Sequence, residues 1–327
     1  LGAHGVVFRY GGGKPHYWCM TQEGLGNKNW IAEWMYQHAG TGRTYYEGIG
    51  IDNALMAAND VICQGALPVI YTDEVAAGDS EWFADEKRSR DLAESFYQAC
   101  RMCGMALPAG ESPALRYLIK AELPVRSAPS LSGCVTGIIA PRSRMGTGAK
   151  LSAGDRIIGV TSSGIHANGV SLVIKKAMGL KEKFLHTLPN GKTLGEEALI
   201  PTRSYVRLVE ALQQDSVEVH ALLGGTGGGI AKIAYAKKPF TYRVTRWVEE
   251  IPPLFLFMRE IGVSLQDCVR TFNWGIGFYV FVPEKEVERT VRTGKKAGYE
   301  LFEIGRVEPG ERRVIFEPEN MILSAIE

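Results

Sequence analysis

Apolar positions are grouped so that predicted strands and helices follow one another along the whole chain. In the N-terminal half, continuously apolar stretches typical of buried strands occur at residues 5–20 (strand, glycine turn, strand), 67–72 and 131–140. Apolar residues repeat at helical spacing at residues 30–38, 52–65 and 84–103. Asp52 stands at the start of the second helical stretch, where it would cap the helix.

The C-terminal half has the same alternation. Strands are predicted at residues 156–161, 217–223, 241–247, 275–282, 298–307 and 312–317. Helical patterns occur at residues 170–178, 201–212, 230–236 and 251–262. Residues 141–155 are rich in Gly, Ser and charge, which is typical of a linker. We therefore expect two α/β domains, residues 1–141 and 142–327.

The composition is that of a globular protein and argues against two classes of partner. Hydrophobic residues make up 45% of the chain and charged residues 22%, with 37 basic and 36 acidic side chains. A net charge of +1 argues against binding to nucleic acid or a membrane surface, because both need a concentrated basic face. No apolar run reaches about 18 residues, so we expect no membrane span.

Six cysteines are scattered along the chain, too sparsely for a disulfide scaffold. Cys100 and Cys103 form a C-x-x-C motif, but it lies in a helical stretch with no second pair nearby. We therefore expect buried free thiols rather than a redox or metal site. Together with the lack of a recognisable signal peptide, this predicts a cytoplasmic protein. Because the chain begins at Leu1, we expect residues upstream of it.

The loop at residues 23–28 is a candidate for binding phosphate or a metal ion. Glu23 offers a carboxylate, Gly24 and Gly26 allow close approach of the backbone, and Lys28 can neutralise phosphate. The spacing is not that of a Walker loop. The alternative is an ordinary turn that leads into a helix.

Two more carboxylates extend this candidate site. Asn59 and Asp60 are polar residues in an otherwise apolar helix, so Asp60 either bonds a neighbouring loop or binds a metal. Glu111 lies on a predicted loop, where a glutamate is usually solvated. Magnesium takes one or two carboxylates together with substrate phosphates. Glu23, Asp60 and Glu111 would therefore form a nucleotide–metal site if the fold brings them together.

A polar turn between a strand and a helix predicts a second binding site. It contains the hydroxyl, imidazole, amide and glycine groups of Ser162, Ser163, Gly164, His166 and Asn168. A helix N-terminus favours a bound anion, and His166 is able to move a proton near neutral pH. The alternative is a capped helix start with a surface histidine.

Two glycine-rich stretches further along have a similar character. Residues 224–229 hold five glycines in six positions, which would be costly in a plain connection but suits a phosphate cradle formed by Thr226, Gly227 and Gly228. Residues 270–277 combine a cation with polar groups and glycines, and Arg270, Thr271 and Asn273 are its candidate ligands. The alternative for this last stretch is a packed turn with a surface arginine.

The order of these motifs resembles a known family. GIGIDNALMAANDVICQGALPVIYTDEVAAG, GDRIIGVTSSGIHANGVSLV, IPTRSYV, TGGG, RTFNWGIGF and EIGRVEPG follow one another as in aminoimidazole ribonucleotide (AIR) synthetase, or phosphoribosylformylglycinamidine cyclo-ligase. The similarity runs over nearly the whole chain. It implies an N-terminal sheet that dimerises, a C-terminal mixed sheet flanked by helices, and Mg-ATP bound in a cleft that includes the dimer interface.

The resemblance also implies a reaction. In this family ATP activates the formyl oxygen of formylglycinamidine ribonucleotide, an amidine nitrogen attacks, and the imidazole ring closes as phosphate leaves. The N-terminal carboxylates and Lys28 would serve ATP and Mg²⁺, with Asp60 also taking part in catalysis. The three C-terminal motifs would hold the phosphorylated substrate, and His166 would transfer a proton or polarise the reacting amide.

The chain departs from the family pattern on the nucleotide side. Glu23 replaces an aspartate, residues 109–114 lack a second carboxylate and gain Pro113, and Gly224 stands where a histidine is usual. Either the ATP site is a rearranged working version, or the protein is a diverged paralogue. Such a paralogue would be another small-molecule kinase or synthetase of the superfamily, or a nucleotide-binding subunit without turnover.

Overall fold

In the computed structural model, the chain folds into two β-sheets with helices packed on them. This confirms the predicted α/β class. The structure describes residues 6–11, 16–225 and 227–326. Within those ranges no helix has both the length and the apolar character needed to cross a bilayer.

The N-terminal sheet has strand order β1-β2-β5-β3-β4. Its strands are Val6–Tyr10 (β1), His16–Gly24 (β2), Leu67–Ala76 (β3), Ala106–Glu111 (β4) and Ser130–Ile139 (β5). Its helices are Lys28–His38 (α1), Ile49–Cys63 (α2) and Glu86–Cys103 (α3). Helix α2 packs on β2 and β5, and α3 packs on α2. Gly50 permits this close approach, since a Cβ there would lie 2.6 Å from Phe96 N.

The C-terminal sheet has strand order β12-β11-β8-β10-β6-β9-β7. Its strands are Arg156–Thr161 (β6), Ala221–Gly224 (β7), Phe240–Val244 (β8), Ile276–Val282 (β9), Leu301–Pro309 (β10), Arg313–Phe316 (β11) and Met321–Ser324 (β12). Its helices are Val170–Met178 (α4), Leu194–Ala198 (α5), Val206–Gln214 (α6), Pro253–Glu260 (α7), Leu265–Thr271 (α8) and Val287–Lys296 (α9). Every residue of β9 is buried, so its sequence is a continuous apolar run rather than an alternating one.

Some predicted elements differ from the structure. The helix expected over residues 201–212 begins only at Val206, because the N–H groups of Thr202 and Tyr205 donate to side chains of the other domain rather than along a helix. The strand expected over 217–223 is reduced to β7, and residues 229–234 form a 3₁₀ turn. Helices α5 and α8 and strands β4 and β12 were not predicted.

Residues 200–205, here called the interdomain segment, connect the two domains through buried polar groups. The Lys28 ammonium donates to Ile200 O at 2.7 Å, and Asp52 Oδ1 accepts from Thr202 N at 2.8 Å and from Thr202 Oγ1 at 2.6 Å. Asn59 donates to Arg203 O at 2.9 Å and accepts from Tyr205 N at 3.0 Å. These bonds fix the C-terminal domain against α1 and α2.

Candidate active site between the two domains

The turn after β6 is held in shape by Asn273. Ser162 Oγ donates to Asn273 Oδ1 at 3.1 Å, and Asn273 Nδ2 donates to Gly164 O at 2.8 Å. The same Oδ1 accepts from Gly275 N at 2.9 Å. The Asn273 side chain is therefore fully engaged within the protein, and it joins two of the predicted motifs.

The glycine-rich loop lies against both of these motifs. A Cβ on Gly227 would lie 3.7 Å from Asn168 Oδ1, and one on Gly229 would lie 2.2 Å from Val269 O, at the end of α8. Gly227, Gly228 and Gly229 all have positive φ, which side chains disfavour. The structure thus brings the three C-terminal motifs together. Thr226 lies outside the described residues.

Arg270 and Thr271 belong to the last turn of α8, not to an irregular turn. The Arg270 side chain is exposed, and Thr271 is half-buried. Gly169, where α4 begins, sits so close to this helix that a Cβ would lie 2.6 Å from the Phe272 ring. The end of α8 is therefore packed against the start of α4, next to the turn.

His166 is fully buried, not a surface residue. Its Nε2 accepts from Ser163 N at 3.3 Å, which assigns the proton to Nδ1, and Nδ1 has no partner among the described residues. Burial, with Lys28 and Arg203 nearby, lowers the pKa of His166 to about 3. The imidazole is therefore neutral near pH 7, with an N–H available to donate.

Glu23, Asp60 and Lys232 form an electrostatic cluster where the domains meet. Glu23 lies at the end of β2, Asp60 on α2, and Lys232 in the 3₁₀ turn that follows the glycine loop. Burial and then the Asp60 carboxylate raise the pKa of Glu23, while Lys232 opposes this shift. Two carboxylates and one ammonium therefore lie close enough to influence one another, and Lys232 belongs to the turn that follows the glycine loop.

Glu111 does not join this cluster within one chain. It is the last residue of strand β4, not a loop residue, and it is exposed. In the register of the sheet, Glu23 pairs with Gly133, Gly133 with Asp73, and Asp73 with Gly110. Three strand spacings separate Glu23 from β4, or about 14 Å. Among the described residues, no three His, Cys, Asp or Glu side chains are placed to hold a metal.

The other candidate residues of the nucleotide side have different surroundings. Gly24 and Gly26 are exposed, and Gly26 has φ 75°. Lys28 is fully buried and forms an ion pair with Asp52 at 2.8 Å. Asp52 lies inside α2, which begins at Ile49, so the expectation that it caps this helix is wrong. The buried Asn59 is engaged by the interdomain segment, as described above.

Sequence reasoning missed three residues of this region. Asp52 and Thr202 form the buried contact between domains, and Lys232 stands beside the carboxylates. The IPTRSYV motif and the TGGG motif were visible, but nothing in the spacing indicated which residues of the other domain they meet.

All six cysteines are free thiols, and five of them are buried. Burial raises the pKa of Cys100 and Cys103 to about 11. The expectation that the C-x-x-C motif holds free thiols is confirmed.

Both halves of the chain match models of one family. The model described as AIR synthase related protein, N-terminal domain, matches residues 4–139, and that for the C-terminal domain matches residues 152–317. These matches cover most of the chain and agree with the resemblance carried by the motifs.

Individual relatives agree. A phosphoribosylformylglycinamidine cyclo-ligase from Alkaliphilus oremlandii is 36% identical over 90% of this chain and 82% of its own, and one from Pyrococcus horikoshii is 34% identical over 90% and 80%. Among solved structures, AaThiL complexed with AMPPCP and TMP has a TM-score of 0.66 at 14% identity, covering 98% of this chain and 89% of that one. Hydrogenase maturation protein HypE in complex with ATP has a TM-score of 0.59 at 18% identity, covering 95% and 85%. The two structures share the fold, and the family models and sequence relatives establish that this chain belongs to the AIR synthase related protein family.

Proposed function

We propose that the chain catalyses ATP-dependent closure of the imidazole ring of formylglycinamidine ribonucleotide, as an enzyme of purine biosynthesis. The observation that carries this is the convergence of the 162–168 turn, the glycine loop and the end of α8, together with Lys232, just after that loop, which lies close enough to Glu23 to oppose the rise in its pKa. Relatives at 34–36% identity are named for this reaction. Residues 1–141 would bind ATP, and residues 142–327 would bind the substrate.

The reaction balances with these reactants. The γ-phosphoryl group passes from ATP to the formyl oxygen, and ADP leaves. An amidine nitrogen then attacks the activated carbon, the C–O bond breaks, phosphate carries the oxygen away, and one proton is lost. Phosphoryl transfer depends mainly on positioning and on neutralising charge, which a glycine loop and nearby cations supply.

The nucleotide side fits one magnesium ion held together with phosphates. Glu23 and Asp60 are two carboxylates close enough for one to perturb the other, and Mg²⁺ accepts one or two carboxylates besides phosphate oxygens. When bound, the ion would neutralise charge on the transferring phosphoryl group. Glu111 would take part only from the partner of a dimer. Lys232, which is also buried, is the cation that acts on the Glu23 carboxylate, whereas Lys28 is paired with Asp52.

His166 would act by polarisation rather than as an acid. An imidazole whose pKa is about 3 is neutral at pH 7, so it has no imidazolium proton to donate as a general acid. Its Nδ1–H, which lacks a protein acceptor in the described residues, would donate a hydrogen bond to an oxygen of the substrate. Its full burial means that the turn must open slightly for this contact.

A homodimer that forms through the N-terminal sheet is part of the proposal. Strand β4 lies at the edge of the sheet, and every one of its residues is exposed. Among the described residues no strand pairs with its outer side, so the backbone groups there are open to a partner. In the segment that follows β4 along the chain, Tyr117 is 96% exposed, Leu118 81% and Leu123 73%. Exposed large apolar side chains and an open strand edge are each typical of an interface. A cytoplasmic location is also proposed, in keeping with six free thiols.

The test is to incubate the protein with formylglycinamidine ribonucleotide, Mg²⁺ and ATP, and to follow ADP, phosphate and aminoimidazole ribonucleotide by chromatography. We expect ADP and the imidazole product to form in equal amounts, with ADP release dependent on the substrate. ADP release without that product would favour a small-molecule kinase. Nucleotide binding without any ADP release would favour a subunit without turnover.

A further inference from the structure

A cleft of about 710 Å³ opens beside the interdomain segment. Its walls are the last turn of α3, residues 202–204, the first turn of α6 and residues 297–299 after α9. Ser163 also lines it, so the cleft adjoins the turn that carries His166. The volume lies within the range of about 300–1,000 Å³ usual for small-molecule sites.

The charge of this cleft has one sign. Its only charged lining residues, within the part of the chain that the structure describes, are Arg101, Arg203 and Arg207. The structure gives none of the three an ion pair with a carboxylate. Three guanidinium groups repel one another when no counter-ion is present, and a bound anion would offset that repulsion.

Hydrogen bonds fix one of these guanidinium groups and leave part of it for a ligand. Arg203 uses one nitrogen, Nη1, to bond Thr161 O and Oγ1, the latter at 2.9 Å, which leaves Nε and Nη2 for another acceptor. Arg207 lies in the first turn of α6, which has no acidic residue, so no carboxylate of that turn offsets the positive end of the helix dipole. The lining hydroxyls of Ser163 and Thr202 already donate to Pro201 O and Asp52. Recognition therefore falls to the arginines.

We propose that this arginine cleft binds a phosphate monoester. The dianion would accept paired hydrogen bonds from the guanidinium groups, a geometry that suits arginine better than lysine. Its source is either the ribose phosphate of the substrate, extending past Ser163, or a separate phosphorylated metabolite. The site does not depend on the proposed reaction, since the ligand class follows from the lining alone.

The test compares two double variants with the same net charge. Arg101→Gln with Arg207→Gln removes two cleft arginines, and Arg90→Gln with Arg292→Gln removes two exposed arginines of α3 and α9 that do not line the cleft. Calorimetric titration with ribose 5-phosphate, inorganic phosphate and ribose measures binding. We expect the cleft variant to bind ribose 5-phosphate about tenfold more weakly or worse, the control variant to bind as the wild type does, and ribose not to bind. Urea unfolding of both variants checks that each is folded.

Equal weakening in both variants would show a general charge effect and overturn the proposal, as would wild-type protein that binds no ribose 5-phosphate saturably. Titration in the presence of saturating formylglycinamidine ribonucleotide identifies the source. Loss of ribose 5-phosphate binding assigns the cleft to the substrate's phosphate, and retained binding assigns it to a second ligand. Because none of these readouts needs turnover, failure of the proposed reaction would leave the result interpretable.

Discussion

The buried ion pair of Lys28 with Asp52 allows a quantitative test of how the domains are joined. Both side chains are fully inaccessible to solvent. Besides Asp52, Lys28 donates to His166 O at 2.8 Å and to Ile200 O at 2.7 Å. Lys28→Met keeps an unbranched apolar side chain that is one atom shorter, and it removes all three donors. It leaves the Asp52 carboxylate buried with only the two donors of Thr202.

The magnitude follows from what is left unpaired. Removing one partner of a buried ion pair typically costs about 3–5 kcal/mol. The two carbonyls that lose their donor place the change toward the upper end of that range. Since folded proteins are stable by about 5–15 kcal/mol in total, Lys28→Met should lower the urea midpoint strongly.

A double-mutant cycle separates the pair from simple loss of packing. Asp52→Asn removes the charge but keeps an oxygen for Thr202. We expect the double variant, Lys28→Met with Asp52→Asn, to be more stable than Lys28→Met alone, with a coupling energy of about 2 kcal/mol or more. Additive effects of the two substitutions would refute the reasoning.

The cycle also has a pH arm. Burial raises the pKa of Asp52 above 3.8, and Lys28 opposes this shift. Without Lys28, the pKa of the folded state rises further above that of the unfolded state, so the penalty grows as pH rises through this interval. The difference in unfolding free energy between wild type and Lys28→Met should therefore shrink as the pH is lowered through the raised pKa of Asp52 toward 3.8. A constant difference would mean that the Asp52 charge is not what the substitution exposes.

Three further predictions concern the site and the interface. Asp60→Asn should weaken Mg-ATP binding in a calorimetric titration while leaving the melting temperature without nucleotide nearly unchanged; an equally large loss of stability would make Asp60 structural. His166→Gln should spare ATP binding and remove most turnover, and it should flatten the pH dependence of unfolding. The wild type loses stability as pH falls from 6.5 toward 3, because the folded state resists protonation of His166, so an unchanged pH profile in the variant would contradict its burial. Tyr117→Glu with Leu118→Glu should yield monomers in sedimentation equilibrium, whereas Leu185→Glu, at a 36% exposed position of the other domain, should not; dimers in both would place the interface elsewhere.

The pattern of apolar residues was sufficient to predict α2, α3, β6 and β9, because each buries a face or a whole strand whose period shows in the sequence. It could not predict where α6 begins. The 201–205 stretch has helical spacing, but the side chains of Asp52 and Asn59 capture its backbone N–H groups. These hydrogen bonds join residues about 150 positions apart in the sequence, so the local spacing of apolar residues cannot predict them.

The candidate site shows the same division. Glycines and polar residues predicted the three C-terminal motifs, since so many glycines and polar side chains in short turns would be costly in a plain connection. Which carboxylates lie close together was harder to predict, because it depends on the order of the strands in the sheet. Glu23 and Glu111 look equivalent in the sequence, yet the order β2-β5-β3-β4 separates them by two intervening strands. In the sequence Lys28 has the character of a phosphate ligand. The structure shows instead that its side chain is fully buried and paired with Asp52.

The interdomain segment links these features physically. It bonds Lys28, Asp52 and Asn59, and its Arg203 lines the arginine cleft. Lys28 also holds the carbonyl of His166, so a shift of α1 against α2 would move the substrate turn and the cleft together. Buried hydrogen-bonded charges fix orientation more strictly than apolar contacts, which tolerate sliding. We therefore expect Lys28→Met with Asp52→Asn, where it stays folded, to weaken ribose 5-phosphate binding as well as turnover. Unchanged binding would show that the buried contact between the domains and the arginine cleft act independently.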